Sequence, residues 1–309
     1  MSGVHIPVLL NEVLEGLSIQ PDGTYVDLTL GRAGHSLEIL KRLTSGKLIG
    51  FDQDPTALQE SEEKLRSLGK TNYLLIDSNF SNVKEKLAEH GVTSVDGILM
   101  DLGVSSPQFD EGERGFSYRM DARLDMRMDP RQARSAYDIV NECDQRELCR
   151  IFREYGEEKY AYQIAGAIVR KRQIAPIETT FQLVDIIKSV LPEKEKRKKG
   201  HPAKQVFQAL RIATNRELDV LCEALRQATE LLNPKGRLAV ITFQSLEDRI
   251  VKQYFRSLTT IEGTRHGPIS MDAPVAFRLV NRKVIEPTEQ EKEQNPRSSS
   301  AKLRIIEKL

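Results

Sequence analysis

The 309-residue chain has only three cysteines, Cys143, Cys149 and Cys222, an odd number with no C-x-x-C pair. That count excludes a disulfide scaffold and a cysteine-built zinc site, and it fits a reducing, cytoplasmic compartment with the cysteines as packing residues. The five histidines, His5, His35, His90, His201 and His266, stand apart without ligand spacing, so no catalytic metal is expected. Nowhere do 18 uncharged apolar residues run together, so no membrane-spanning helix is expected. The apolar run Val4 to Leu10 is short, broken by Pro7 and followed by Glu12 and Glu15, and does not read as a signal peptide. A net charge of +1 supplies no bulk field toward nucleic acid or membrane, so any basic site must be local. With 39% hydrophobic residues the chain has ample side chain for a sizeable core. The sequence sets no oligomeric state.

From Thr24 to Asp101 short apolar runs alternate with helical patterns. Strands are expected at Tyr25–Leu30, Lys47–Phe51, Asn72–Ile76 and Asp96–Met100, with helices at Ser36–Leu43, Pro55–Leu68 and Ser81–His90. Right-handed crossovers then give a doubly wound, Rossmann-like α/β sheet. From Asp110 to His201 the strand alternation stops, and charged helical stretches such as Gln145–Tyr155 and Tyr160–Arg172 take over. A long amphipathic segment, Lys204–Leu232, ends at Asn233-Pro-Lys-Gly236. A central strand, Arg237–Phe243, and a helix, Ser245–Arg256, follow. The expected organisation is a discontinuous core, residues 1–110 and 202–309, interrupted by a helical insertion domain, 111–201, that takes part in substrate recognition. Residues 286–300 are polar and poor in apolar side chains, which predicts a mobile segment before a last strand near Leu303–Ile306.

After the first strand, Gly31-Arg-Ala-Gly34-His35 forms a small-residue turn into a helix, where a ligand can approach the backbone. It is not the full G-x-G-x-x-G. Asp52, at the end of the second strand, stands where an acid takes ribose hydroxyls, which suits either NAD or S-adenosylmethionine. Asp54 reads instead as a helix N-terminal residue ahead of Pro55. The fourth strand separates the two cofactors. Met100-Asp-Leu-Gly-Val-Ser-Ser-Pro-Gln108 places a carboxylate and hydroxyls at the carboxyl edge of the sheet. An exocyclic base amine is a poor nucleophile. Acceptors on its N–H groups align it and favour the charge that develops on nitrogen. Asp101, Ser105 and Ser106 are the candidate catalytic groups.

Asp27-Leu-Thr-Leu-Gly-Arg-Ala-Gly-His-Ser36, Met100–Gln108, Arg114-Gly-Phe-Ser117, Leu124-Asp-Met-Arg-Met-Asp-Pro130, His201-Pro-Ala-Lys204, Phe207-Gln-Ala-Leu-Arg-Ile212 and Ser245-Leu-Glu-Asp-Arg249 occur in this order. Together, from His5 to Lys302-Leu-Arg-Ile-Ile306, they resemble the bacterial RsmH (MraW) family, S-adenosylmethionine-dependent methyltransferases acting on the N4 amine of a cytidine in 16S ribosomal RNA. The resemblance implies a methyltransferase fold with a helical insertion. It also implies cofactor contacts at Ala33, Gly34, His35, Asp52, Phe80, Asp101 and Gln108. Two positions depart from the family pattern. Gln244 stands where histidine is usual before Ser-Leu-Glu-Asp-Arg, and Ser299 where arginine is common. The first puts in doubt any role that needs an imidazole but leaves a hydrogen-bonding role, and the second weakens one phosphate contact.

The most basic stretch, Lys194–Lys199 followed by His201 and Lys204, is the expected phosphate-binding surface for RNA, which the resemblance implies is supplied within the small ribosomal subunit. Candidate RNA contacts are Lys198, Lys199, His201, Lys204, Arg211 and Asn215, the last three sharing one helical face with Gln208. The target base must be unstacked, and Phe109, Phe116 and Tyr118 are candidate stacking partners, with Phe116 read first as a core anchor. A nicotinamide-dependent oxidoreductase and a non-catalytic ribosome-assembly factor remain as alternatives at this stage.

Overall fold

The computed structural model describes residues 7–102, 112–260 and 276–309. After α1 (Leu10–Leu17) come β1 (Thr24–Asp27), α2 (Gly34–Arg42), β2 (Lys47–Asp52), α3 (Pro55–Arg66), β3 (Tyr73–Asp77), α4 (Val83–Glu89) and β4 (Val95–Asp101). The alternation expected from the sequence is present, with ends moved by a few residues. The helices start where local chemistry demands it. Asp54 caps α3 by accepting the Thr56 N–H at 3.0 Å, and Pro55 occupies the first turn, where it forfeits no hydrogen bond.

The sheet order is β3-β2-β1-β4-β5-β7-β6, where β5 is Leu232–Thr242, β6 Phe277–Leu279 and β7 Lys302–Lys308. Strands β1 to β5 are parallel, and β7 runs antiparallel between β5 and β6. Alternate residues of each strand feed opposite faces. Val26, Ile49, Ile98, Met100 and Val240 pack with α4, α11 (Glu217–Leu231) and α12 (Ser245–Thr259). Tyr25, Leu48, Leu99 and Ile241 pack with α1 and α2 on the other face. The result is a doubly wound α/β layer structure. Its winding reverses between β1 and β4, which opens a ligand crevice beyond the carboxyl ends of those strands.

The chain divides into two units, Met1–Gly103 with Leu218–Leu309, and Val104–Glu217. The second unit contains α5 (Ala136–Glu142), α6 (Gln145–Glu154), α7 (Ala161–Arg172), α8 (Thr180–Val190), α9 (Glu193–Lys196) and α10 (Lys204–Asn215). Two expectations are corrected here. Residues 202–217 belong to the helical unit and not to the sheet unit, because Ala203, Val206, Phe207 and Leu210 are buried in the same cluster as Phe152 and Ile164. The single long helix expected over 204–232 is two helices, broken at Arg216 in left-handed backbone (φ +51).

Two smaller corrections concern the sheet unit. The turn at 233–236 lies inside β5: the ladder steps from Leu232 opposite Val95 to Arg237 opposite Gly97, and the residues between bulge out. The polar segment 286–300 is ordered, with α13 (Glu289–Gln294) capped by Thr288 and a 3₁₀ turn at Pro296–Ser300. Glu291 of that helix accepts the Leu9 N–H at 2.8 Å, so the segment is tied to the start of α1. No helix is long and apolar enough to cross a membrane among the described residues.

Candidate functional site

The turn after β1 is built from left-handed backbone at Gly31 (φ +52) and Ala33 (φ +55). Glycine adopts this freely, whereas alanine pays about 1 kcal/mol or more for it. Leu30 N–H donates to the Phe51 carbonyl at 2.9 Å, and Ala33 N–H to the Leu30 carbonyl at 2.8 Å. Asp52 closes the turn from β2: its Oδ2 accepts the Gly31 N–H and its Oδ1 the Asp54 N–H, each at 2.9 Å. The Gln53 N–H also acts on this carboxylate, and acceptor capacity is left for a ribose hydroxyl. Burial pushes the Asp52 carboxyl up to about 6 against those stabilising N–H groups. A dinucleotide pyrophosphate needs free turn N–H donors, and here Gly31 and Ala33 have spent theirs on the protein itself.

Beside the turn lies a cluster of acids around one imidazole. Asp27, at the end of β1 and 2% exposed, accepts the Ser36 hydroxyl at 2.7 Å and the Thr29 N–H at 3.1 Å. Its pKa is raised by burial, which outweighs those donors and the charge of His35. His35 Nε2 lies 2.9 Å from the Val8 carbonyl, which can only accept, so Nε2 carries the proton. Nδ1 then faces Asp101 Oδ2 at 3.7 Å. Asp101 is fixed by its own N–H, which donates to Thr29 Oγ1 at 2.6 Å. Burial pushes its carboxyl up to about 6, with Asp27 and Glu247 adding to the rise and His35 opposing it. Asp101 Oδ1 is buried and has no hydrogen-bond partner among the described residues.

The next strand brings a second unpartnered acceptor. Gln244 precedes α12, and its Nε2 donates to Glu247 Oε1 at 2.8 Å, while Glu247 Oε2 accepts the Phe243 N–H at 3.1 Å. Gln244 Oε1 is buried without a partner among the described residues. A rim of buried acids with open acceptors repels a neighbouring pyrophosphate, which disfavours the nicotinamide alternative.

Of the residues singled out in the sequence, Ala33, Gly34, His35, Asp52 and Asp101 gather at the rim around the turn and the ends of β1, β2 and β4. Phe80 opens the 3₁₀ turn after β3, half-buried against the core. Ser105, Ser106, Gln108 and Phe109 lie outside the described residues. Sequence reasoning missed Asp27, Thr29 and Glu247. Asp27 opens the first motif, and a carboxylate inside a strand that must be buried is the signal that marks it.

In the helical unit, Tyr118 stacks on His201 with ring centroids 4.3 Å apart and an interplanar angle of 12°, and Phe207 meets Tyr118 edge-on at 5.7 Å. Arg119 lies 6.0 Å from the Tyr118 ring centre. Burial, Lys188 and Arg119 together hold the His201 pKa below its ordinary value. Arg119, Lys188 and the exposed Lys204 have no ion-pair partner among the described residues. Other expected cations are committed. Lys198 pairs with Glu195 and Lys196 with Glu193, each at 2.7 Å between hydrogen-bonded atoms. Lys199 is exposed.

Two residues expected on the RNA face are held by protein partners. Arg211 forms a two-pronged pair with Glu217, both bonds 2.7 Å, with 14% and 11% of the two side chains exposed. Asn215 accepts the Met128 N–H and donates to the Met126 carbonyl, each at 2.8 Å, so it ties α10 to the preceding loop. Phe116 is a core anchor of this unit, 4% exposed. Cys143 and Cys149 pack in or beside the same core as expected, whereas Cys222 is exposed.

The Ribosomal RNA small subunit methyltransferase H of Limosilactobacillus fermentum is 53% identical over 308 residues, covering 99% of this chain and 98% of the relative. That of Exiguobacterium sibiricum is 54% identical over 307 residues, with 99% and 98% covered. A crystal structure of an rRNA methylase from Streptococcus thermophilus overlaps 99% of both chains with a TM-score of 0.45 at 13% identity. The model of the MraW methylase family matches residues 2–309, and the chain belongs to that family.

Proposed function

We propose that this protein is an S-adenosylmethionine-dependent methyltransferase that acts on the exocyclic N4 amine of a cytidine in 16S ribosomal RNA, in the cytoplasm. The carrying observation is Asp101 Oδ1, a buried acceptor with no partner among the described residues, at the switch point between β1 and β4. Family membership and the named relatives support ribosomal RNA as the substrate class. S-adenosylmethionine, when bound, supplies a methyl group on a cationic sulfonium.

The residues present fit such a cofactor. Asp52 has acceptor capacity left for a ribose hydroxyl, the Gly31–Gly34 turn brings backbone close, and Asp27, Asp101 and Glu247 make the neighbouring rim favourable to positive charge. Asp101 accepts an N–H of the amine, holds its nitrogen in line and stabilises the positive charge that develops there. No covalent adduct is required of any cysteine. Ser105 and Ser106 remain proposed orienting groups and Gln108 a proposed cofactor contact.

The helical unit supplies the RNA surface in this reading. The Tyr118–His201 stack offers an aromatic face for an unpaired base, and Arg119, Lys188, Lys199 and Lys204 offer charge to phosphates. Methylation of purified small subunits with labelled cofactor, followed by nucleoside mapping, tests the whole. Label in N4-methylcytidine is expected, and label absent from that nucleoside refutes the reading. Arg119→Ala with Lys188→Ala should weaken RNA binding and flatten its salt dependence by about one to two in log–log slope, with cofactor affinity unchanged.

A further inference from the structure

Asp101 ends β4, and Gln244 lies two residues beyond the end of the neighbouring strand β5. Asp101 lies opposite Ile241 in the β4–β5 ladder, the Leu102 N–H continues it to the Ile241 carbonyl at 2.9 Å, and Gln244 follows three residues later. Each presents a buried oxygen with no partner among the described residues. The orientation of the Gln244 amide is dictated by its surroundings. Its NH₂ faces the Glu247 carboxylate at 2.8 Å, and turning the amide over would set its carbonyl against that carboxylate. The carbonyl therefore points away from Glu247 and stays unused. Glu247, which holds the Gln244 amide, also helps to raise the Asp101 carboxyl.

Buried polar atoms in folded proteins are almost always satisfied, and an exception at a ligand crevice marks where a ligand donor goes. An amino group attached to a ring carries two N–H donors, and two acceptors from different directions match it. We infer that Gln244 Oε1 and Asp101 Oδ1 form a two-acceptor clamp for the exocyclic amino group, which makes Gln244 a specificity-determining residue that selects an amino pyrimidine over one with a carbonyl at the same position. This rests on the proposed amine methylation. A carbonyl presented there meets two acceptors and no donor, and such a mismatch is rejected far more strongly than a lost apolar contact. The amide holds its hydrogen without taking it, so only Asp101 of the pair can receive the proton released from nitrogen. The substitution of glutamine for the family's usual histidine thus keeps an acceptor at this position and gives up a basic nitrogen.

The test uses the full chain with small-subunit RNA. Gln244→Met keeps length and bulk and removes the acceptor, whereas Gln244→His restores a nitrogen that can accept. Gln244→Met is expected to lower kcat about 100-fold, with cofactor affinity by calorimetry changed less than threefold. Its preference for RNA with cytidine over uridine at the target, read by competition binding, should fall at least tenfold. Gln244→His should stay within about tenfold of the parent. A second measurement needs no variant. RNA in which the target cytosine carries hydrogen in place of its amino group should bind the parent protein at least tenfold more weakly than the cytidine form. Gln244→Met with parental kcat and parental discrimination, or equal binding of the amino-free RNA, overturns the clamp. A parent enzyme that methylates no cytidine amine overturns the proposed function with it, and the two failures are told apart by that parent reaction.

Discussion

Replacing Asp101 with asparagine should stabilise the fold while it destroys the activity. Burial raises the Asp101 carboxyl from an ordinary 3.8 to about 6, and its side chain is only 24% exposed. A shift of roughly two pH units at about 1.4 kcal/mol each means that ionising this group costs the folded state up to about 3 kcal/mol at pH 7.5. The folded protein binds more protons than the unfolded chain between pH 4 and 6, so this contribution makes stability fall as pH rises through that window. An amide cannot ionise. Asp101→Asn should therefore gain up to about 3 kcal/mol over the parent at pH 7.5 by denaturant unfolding, and the gain should vanish toward pH 4. In the same preparations methyl transfer should drop by at least about 100-fold, because an anionic acceptor is gone from the charge-developing nitrogen. The parent's own rate should fall below about pH 6, as Asp101 takes up a proton. Equal gains at pH 4.5 and 7.5, or a variant less stable at both, would refute the assignment of a buried carboxylate held at a cost for catalysis.

Asp52→Ala should weaken S-adenosylmethionine binding at least tenfold by calorimetry, and unchanged affinity removes the ribose assignment. Arg211→Ala leaves Glu217 covered and unpaired, and should cost about 3 kcal/mol of stability in denaturant with RNA affinity intact; the reverse pattern would return Arg211 to the RNA surface. Ser36→Ala removes a donor from fully buried Asp27 and should cost about 1–3 kcal/mol at pH 7.5. Since the loss falls on the ionised form of Asp27, whose pKa is already raised, it should shrink as pH is lowered; a pH-independent loss would contradict it.

The first four strands, the turn at Gly31–Gly34 and the rim positions of Asp52 and Asp101 were legible because each is set by residues close in sequence. Short apolar runs, a small-residue turn and an acid at a strand end are local signals. The break at Arg216 was not legible, since Asn215-Arg216 carries neither glycine nor proline and the left-handed residue is imposed where α10 and α11 part. Arg211 and Asn215 shared a polar helical face, as their spacing required. Whether that face meets RNA or Glu217 and the 126–128 backbone depends on tertiary partners that spacing does not name. Segment 286–300 looked unable to fold by composition, yet Thr288 capping and the Glu291 contact to Leu9 order it. The placing of Gln244 on the same rim as Asp101 was hidden for the same reason, since it appears only once β5 lies beside β4.

The placement of β7 has a consequence for how this molecule is made. Thr242 pairs with Lys302, sixty positions away, and β7 fills the gap that would otherwise leave β5 as a bare edge. On a translating ribosome the parallel strands can assemble early, but their outermost ladder stays open until residues 302–308 have left the exit tunnel. Until then the nascent sheet carries an unpaired flank at β5, and the emergence of residues 302–308 is what covers it.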